Sequence, residues 1–269
     1  MAPLSQQAHT GASRVLLTLG RMNVQRFEQV DVLRGLAMVW MTVFHFCFDL
    51  SQAGYIQQNF YSDPVWTWQR TCILSLFLLC AGAGQAIALA QGQSWQRIWR
   101  RWLQIAACAI LVTAGSALMF PHSFIYFGVL HGMAVMLVMV RLSAGWGAWL
   151  WPLGALAIAT KFIAAYAIDA GVLGVFLNGK MFNWLGLISV KPFTEDYVPV
   201  LPWLGVMWWG MAGAQWWMAR AAGQPTRAGW STPPLLRPLA ILGRWSLSYY
   251  MLHQPILLGA LWLWATLAR

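Results

Sequence analysis

Apolar residues in this chain fill long unbroken runs instead of alternating with polar ones. The runs lie at about 32–51, 70–90, 102–120, 124–141, 147–168, 198–219 and 238–266. A helix needs roughly 20 apolar residues to cross the hydrocarbon of a bilayer. The pattern therefore predicts an all-α polytopic membrane protein with about seven transmembrane helices, formed by one domain over residues 26–269. Residues 170–190 are apolar but interrupted by Gly and Asn, and stay open among a loop, a short re-entrant piece and a partial helix. Residues 1–25 are mostly polar and predict a disordered cytoplasmic tail. Their one apolar patch, Val15 to Leu19, is short for a signal-peptide core. Met22, just before the patterned sequence, is a candidate start.

Composition agrees with the pattern. Of 269 residues, 59% are hydrophobic and 9% charged, against roughly 25% charged in a soluble domain. The net charge of +10 has a membrane explanation, because Lys and Arg gather on cytoplasmic loops; it does not call for nucleic acid. With seven spans, one side receives twelve of the arginines, among them Arg34, Arg97, Arg101, Arg141 and Arg244. The other receives Arg70, Arg269, the lysines and most of the carboxylates, including Asp49 and Asp196. That asymmetry predicts a cytoplasmic N-terminus and a periplasmic C-terminus. The four cysteines sit in apolar segments without metal-ligand spacing and predict buried thiols, with no metal site.

Ionisable groups at membrane depth are costly and normally face a bundle interior or a wet cavity. The first run, with the residue just before it, carries four of them. Arg34 and His45 are eleven residues apart, about three helical turns, so they share a face. Asp31 and Asp49 fall on the same stripe by i,i+3 and i,i+4 spacing. A structural polar network is the bland explanation. A proton-transfer group, a fixed cation and two carboxylates on one stripe favour chemistry, with His45 as candidate base and Asp49 orienting it. His131, in the fourth run, is as easily a packing histidine as a catalytic one. In the seventh run His253, Gln254 and the helix-breaking Pro255 together suggest cavity lining. Arg34, Arg101, Arg141 and Arg244 are candidate anion-binding groups. For Arg101, within the Trp-Arg alternation at 95–102, an interfacial anchor is the simpler explanation, and for Arg244 snorkelling serves equally well. Asp31, Asp196, Tyr197 and Gln254 are candidate substrate contacts, although acidic residues before a helix also suit its dipole.

No nucleotide-binding loop, zinc-protease motif, nucleophile elbow or dinucleotide fingerprint is present. What is present is a set of four ordered stretches. Arg26, Val30, Asp31, Arg34, Gly35 and Ala37 precede His45, Phe46, Asp49 and Leu50. Then come Phe127-Gly-Val-Leu-His-Gly-Met-Ala134, Asp196-Tyr-Val-Pro-Val-Leu-Pro-Trp-Leu-Gly205 and Leu242-Gly-Arg-Trp-Ser-Leu-Ser-Tyr-Tyr-Met-Leu-His-Gln-Pro255. Together they resemble the DUF1624 proteins, bacterial relatives of the heparan-α-glucosaminide N-acetyltransferase catalytic domain. The Arg34–His45 spacing is similar to that of other transmembrane acyltransferases that modify cell-surface sugars.

The resemblance implies a multi-pass protein of the bacterial inner membrane, possible as a homodimer among membrane lipids. It implies transfer of an acyl group, acetyl first among the choices, from cytoplasmic acetyl-CoA or another acyl-CoA. The acceptor would be an amine or hydroxyl of a sugar or glycoconjugate on the outer side. Arg34 would hold a phosphate or pantetheine group, and His45 would be the base or a transient acyl carrier. One departure is notable: the lysosomal enzyme has Asn at the place of His45 and a catalytic His in the following loop. Here residues 51–69 hold no His, so heparan sulfate is not the expected acceptor. The alternative is a proton-coupled transporter or lipid-handling protein in which Arg34, His45 and Asp49 form a polar relay.

Overall fold

A computed structural model describes residues 27–167, 172–221 and 232–267. The predicted N-terminal tail lies outside the described residues. Among the described residues the regular secondary structure is helical apart from one isolated parallel bridge between Phe127 and Tyr197. The principal helices are α1 (Glu28–Gln52), α2 (Pro64–Ala90), α3 (Trp95–Met119), α4 (Val129–Leu142), α5 (Leu150–Ala167), α6 (Val172–Asn178), α7 (Val200–Ala221), α8 (Arg237–Arg244) and α9 (Ser246–Leu267).

Each of the seven predicted runs is helical, with two differences. The fourth begins at Val129 instead of 124, because the backbone before it pairs sideways with the strand-like segment before α7. Val198 N–H donates to Phe127 O at 3.1 Å, and Glu195 N–H to Ser123 O at 2.9 Å. The seventh run is two helices, broken at Trp245, whose N–H closes α8 on the carbonyls of Ile241 and Leu242. Pro255 lies inside α9, which runs through it. Among the described residues, four helices are long and apolar enough to cross a membrane: Glu28–Gln52, Pro64–Ala90, Trp95–Met119 and Ala144–Ala164. The 170–190 region contains α6 and a 3-10 turn, Asn183–Leu185.

In a membrane, helices gain little from burying apolar surface against one another, so close packing through small residues carries much of the association. The packing here follows that rule. A Cβ on Gly82 would overlap the carbonyl of Met207, and one on Gly210 the carbonyl of Leu79, so α2 and α7 touch backbone to backbone. Gly154 and Gly205 bring α5 onto α7 in the same way. Gly35 and Gly243 seat α8 on the start of α1. One cluster of buried side chains includes Leu78, Met136, Leu204, Met207 and Met211, from α2, α4 and α7. A second joins Met38, Met41, Phe44, Phe60 and Ile73 between α1, the following loop and α2. Phe77 and Tyr250 pack on both.

Candidate functional site

A cavity of about 280 Å³ opens at the arginine-bearing end of the bundle. Its walls come from α1, α2, α3, α4, α8 and α9, and include Arg34, Arg101 and Arg244 together with Gln85, Trp99 and Trp102. The seat of α8 on α1 builds the cationic side. Asp31, 7% exposed, is the hub: Arg34 Nη1 lies 3.4 Å from its Oδ1, and Arg244 Nε lies 3.7 Å from its Oδ2. Arg34 also donates to Gly243 O at 3.4 Å, and Arg244 pairs with Glu28 at 2.8 Å. Arg101 lies within electrostatic reach of Arg34 and Asp31. Asp31, predicted as a substrate contact, thus holds two arginines side by side. Three guanidinium groups face two carboxylates, so the wall stays cationic.

Arg141 does not line the cavity; it backs it. Its guanidinium is buried, donates to Gln93 O at 3.0 Å and stands over the Trp95 ring at 5.4 Å. Gln93 and Trp95 are themselves in the cavity wall. The arginine therefore fixes the turn between α2 and α3.

Tyr250 of α9 also lines the cavity. Its ring centroid is 5.7 Å from that of His253, and the His253 ring is 5.2 Å from that of His45. His253 is 7% exposed. Its Nδ1 is 2.7 Å from the carbonyl of Tyr250. A carbonyl only accepts, so Nδ1 carries the proton and Nε2 holds the lone pair. That Nε2 is buried and has no hydrogen-bond partner among the described residues. The tautomer is set by the chain itself, as in histidines oriented for proton transfer.

Asp49 does not turn to His45. Both of its oxygens accept from Gln254 Nε2, at 2.8 and 3.0 Å. The carboxylate sits one helical turn past His45 and faces α9, where Gln254 supplies a donor. Gln254 Oε1 remains buried and unpaired among the described residues. The stripe predicted on α1 is thus completed by the His253–Gln254 pair of α9.

His131 is committed elsewhere. Its Nδ1 accepts from Gly128 N–H at 3.3 Å, which leaves Nε2–H to donate to Thr113 Oγ1 at 3.1 Å; the threonine hydroxyl donates on to Ile125 O at 2.8 Å. Both ring nitrogens hold the backbone before α4 in place. Asp196 and Tyr197, predicted as substrate contacts, are likewise tied into the scaffold. Asp196 Oδ2 accepts from Val129 N–H at 2.7 Å and so caps α4 from a distant segment. Burial pushes its carboxyl above the ordinary range, while the Val129 N–H, Lys191 and Arg70 pull the other way. Tyr197 Oη donates to Asn183 O at 2.6 Å, and Asn183 donates to Tyr126 Oη at 2.8 Å.

Sequence reasoning missed Tyr250 and Gln85. For Tyr250 a signal was there: it stands three residues before His253, one turn away on the same helix face. Gln85 carried none beyond being polar in an apolar run.

Compared with known proteins, the chain matches the family described as "Heparan-alpha-glucosaminide N-acetyltransferase, catalytic" over residues 26–255. Neither the curated proteins nor the solved structures compared with it gave a match.

Proposed function

We propose that this chain, which belongs to the heparan-alpha-glucosaminide N-acetyltransferase catalytic family, moves an acetyl or other acyl group from acyl-CoA to an amine or hydroxyl of a sugar across the membrane. The observation that carries the reading is the continuity of the site. A cavity walled by three arginines is also lined by Tyr250, whose ring adjoins His253, which in turn adjoins His45. A cation for the donor, a base for the acceptor and a passage between them are what acyl transfer needs.

In this reading the arginine end faces the cytoplasm of a bacterial inner membrane, and Asp49 and Gln254 face the acceptor on the outer side. The cavity is near the lower end of ordinary ligand pockets, which start at roughly 300 Å³. It suits the acyl-pantetheine arm, with the nucleotide outside it against Arg34, Arg101 and Arg244, whose guanidinium groups favour phosphate. Gln85 lines the cavity with a buried Oε1 that has no partner among the described residues, an acceptor suited to a pantetheine amide N–H. The histidine pair takes the acceptor proton as the new bond to the acyl carbon forms, and returns it to the departing thiolate. The family match supports this chemistry over the transporter alternative.

Acetyl-CoA binding tests the donor site. Wild-type protein binds it, and Arg34→Ala weakens the dissociation constant by about tenfold or more, the order expected for one charge-assisted contact. An unchanged constant in the folded variant removes Arg34 from the donor site. Sidedness has its own check. Reporter fusions in the 91–94 turn and at Arg269 should report opposite sides of the membrane, with the turn in the cytoplasm; the same side for both refutes the seven-span arrangement.

A further inference from the structure

We propose that the hydroxyl of Tyr250 is the hydrogen-bond donor to the thioester carbonyl of the bound acyl donor. The inference rests on the acyltransferase reading above and names a residue that acts within that site. Tyr250 belongs to the cavity wall, and its backbone carbonyl fixes the tautomer of His253 through the 2.7 Å bond to Nδ1. It is the residue through which the arginine-walled cavity meets the histidines. Its ring sits at the seam of the two buried clusters, packed on both, which holds the side chain in one place. No described residue hydrogen-bonds its hydroxyl. The neighbouring Tyr249 makes the contrast: it stacks on His253 at 6.1 Å, but its hydroxyl is taken by Thr42 Oγ1 at 2.7 Å.

The chemistry calls for such a donor at that place. As the acceptor attacks, a bond forms to the carbonyl carbon and the carbonyl electron pair moves onto oxygen. Collapse returns the pair and breaks the carbon–sulfur bond. The acceptor proton passes to an imidazole and then to the thiolate, so atoms and charge balance with the tyrosine unchanged. A fixed donor aimed at that oxygen stabilises the intermediate, because it meets charge that develops only there. Arg34 and Arg244 are engaged by Asp31, Glu28 and the Gly243 carbonyl, whereas the Tyr250 ring adjoins His253.

Two non-reactive donor analogues separate the hydroxyl–carbonyl bond from the rest of binding. Acetonyl-CoA keeps a carbonyl; S-propyl-CoA has the same chain length without one. Calorimetric titration of full-length wild-type protein in detergent should give a dissociation constant about fivefold lower for acetonyl-CoA, the size of one neutral hydrogen bond. In Tyr250→Phe the preference should fall to about one, while S-propyl-CoA binds as in wild type and so reports an intact fold. A preference retained in Tyr250→Phe overturns the proposal, and so does equal binding of the two analogues by wild type. If wild type binds neither analogue, the donor-site reading itself fails and takes the proposal with it.

Discussion

His253→Ala is expected to slow acetyl transfer by about 10²–10⁴-fold, the usual contribution of a positioned base, and His45→Ala by a similar factor. The measurement is CoA released from acetyl-CoA with glucosamine as acceptor, alongside acetyl-CoA affinity, which should move little in either variant. Position in the sequence alone ranks His45 first, on the stripe with Arg34. The geometry raises His253 to its level. Its proton is pinned on Nδ1 by the Tyr250 carbonyl, so a lone pair is available on a buried Nε2. The two rings touch, so they act as a unit, and the double variant should be little slower than either single one. His131→Ala should leave turnover within about tenfold while lowering thermal stability, because one of its nitrogens holds the Gly128 N–H and the other the Thr113 hydroxyl. A His253→Ala protein that turns over at the wild-type rate removes His253 from the reaction.

Gly243→Val should unfold or strongly destabilise the cationic wall. A Cβ at this position would overlap the carbonyl of Asp31 and come within 3.0 Å of Gly35 N. Overpacking ordinarily costs about 1–3 kcal/mol when side chains can yield. Here the obstacle is backbone, which cannot swing aside, so the effect belongs at or above the upper end. α8 would lift from α1, Asp31 would lose its place between Arg34 and Arg244, and acetyl-CoA affinity should fall with the melting temperature. Gly259→Ala is the matched control, since nothing lies within 4 Å of its Cβ. Melting of the detergent-purified proteins decides: a Gly243→Val protein as stable as Gly259→Ala would mean that α8 does not seat on α1 as described.

Much of this protein is written in the order of its residues. Runs of about twenty apolar positions can satisfy their backbone in lipid only as helices, so the helical class and the approximate place of every long helix follow from the sequence. The stripe of Asp31, Arg34, His45 and Asp49 also follows, because helical spacing puts those positions on one face whatever surrounds them. Partners across helices do not follow. Gln254 takes Asp49 from a residue 205 positions away, and Asp196 caps a helix 67 positions upstream. Nothing local separates a carboxylate that meets substrate from one that meets a backbone N–H; only the approach of a second segment decides it. The same holds for the three histidines at depth. Sequence makes each a candidate, whereas the neighbours brought by packing leave His131 with both nitrogens bonded and His253 with one nitrogen that no described residue bonds. The glycines explain why the tertiary structure has this power. At Gly35, Gly82, Gly210 and Gly243 the backbones touch, and those contacts fix which helix faces meet, and with them which polar groups share a site.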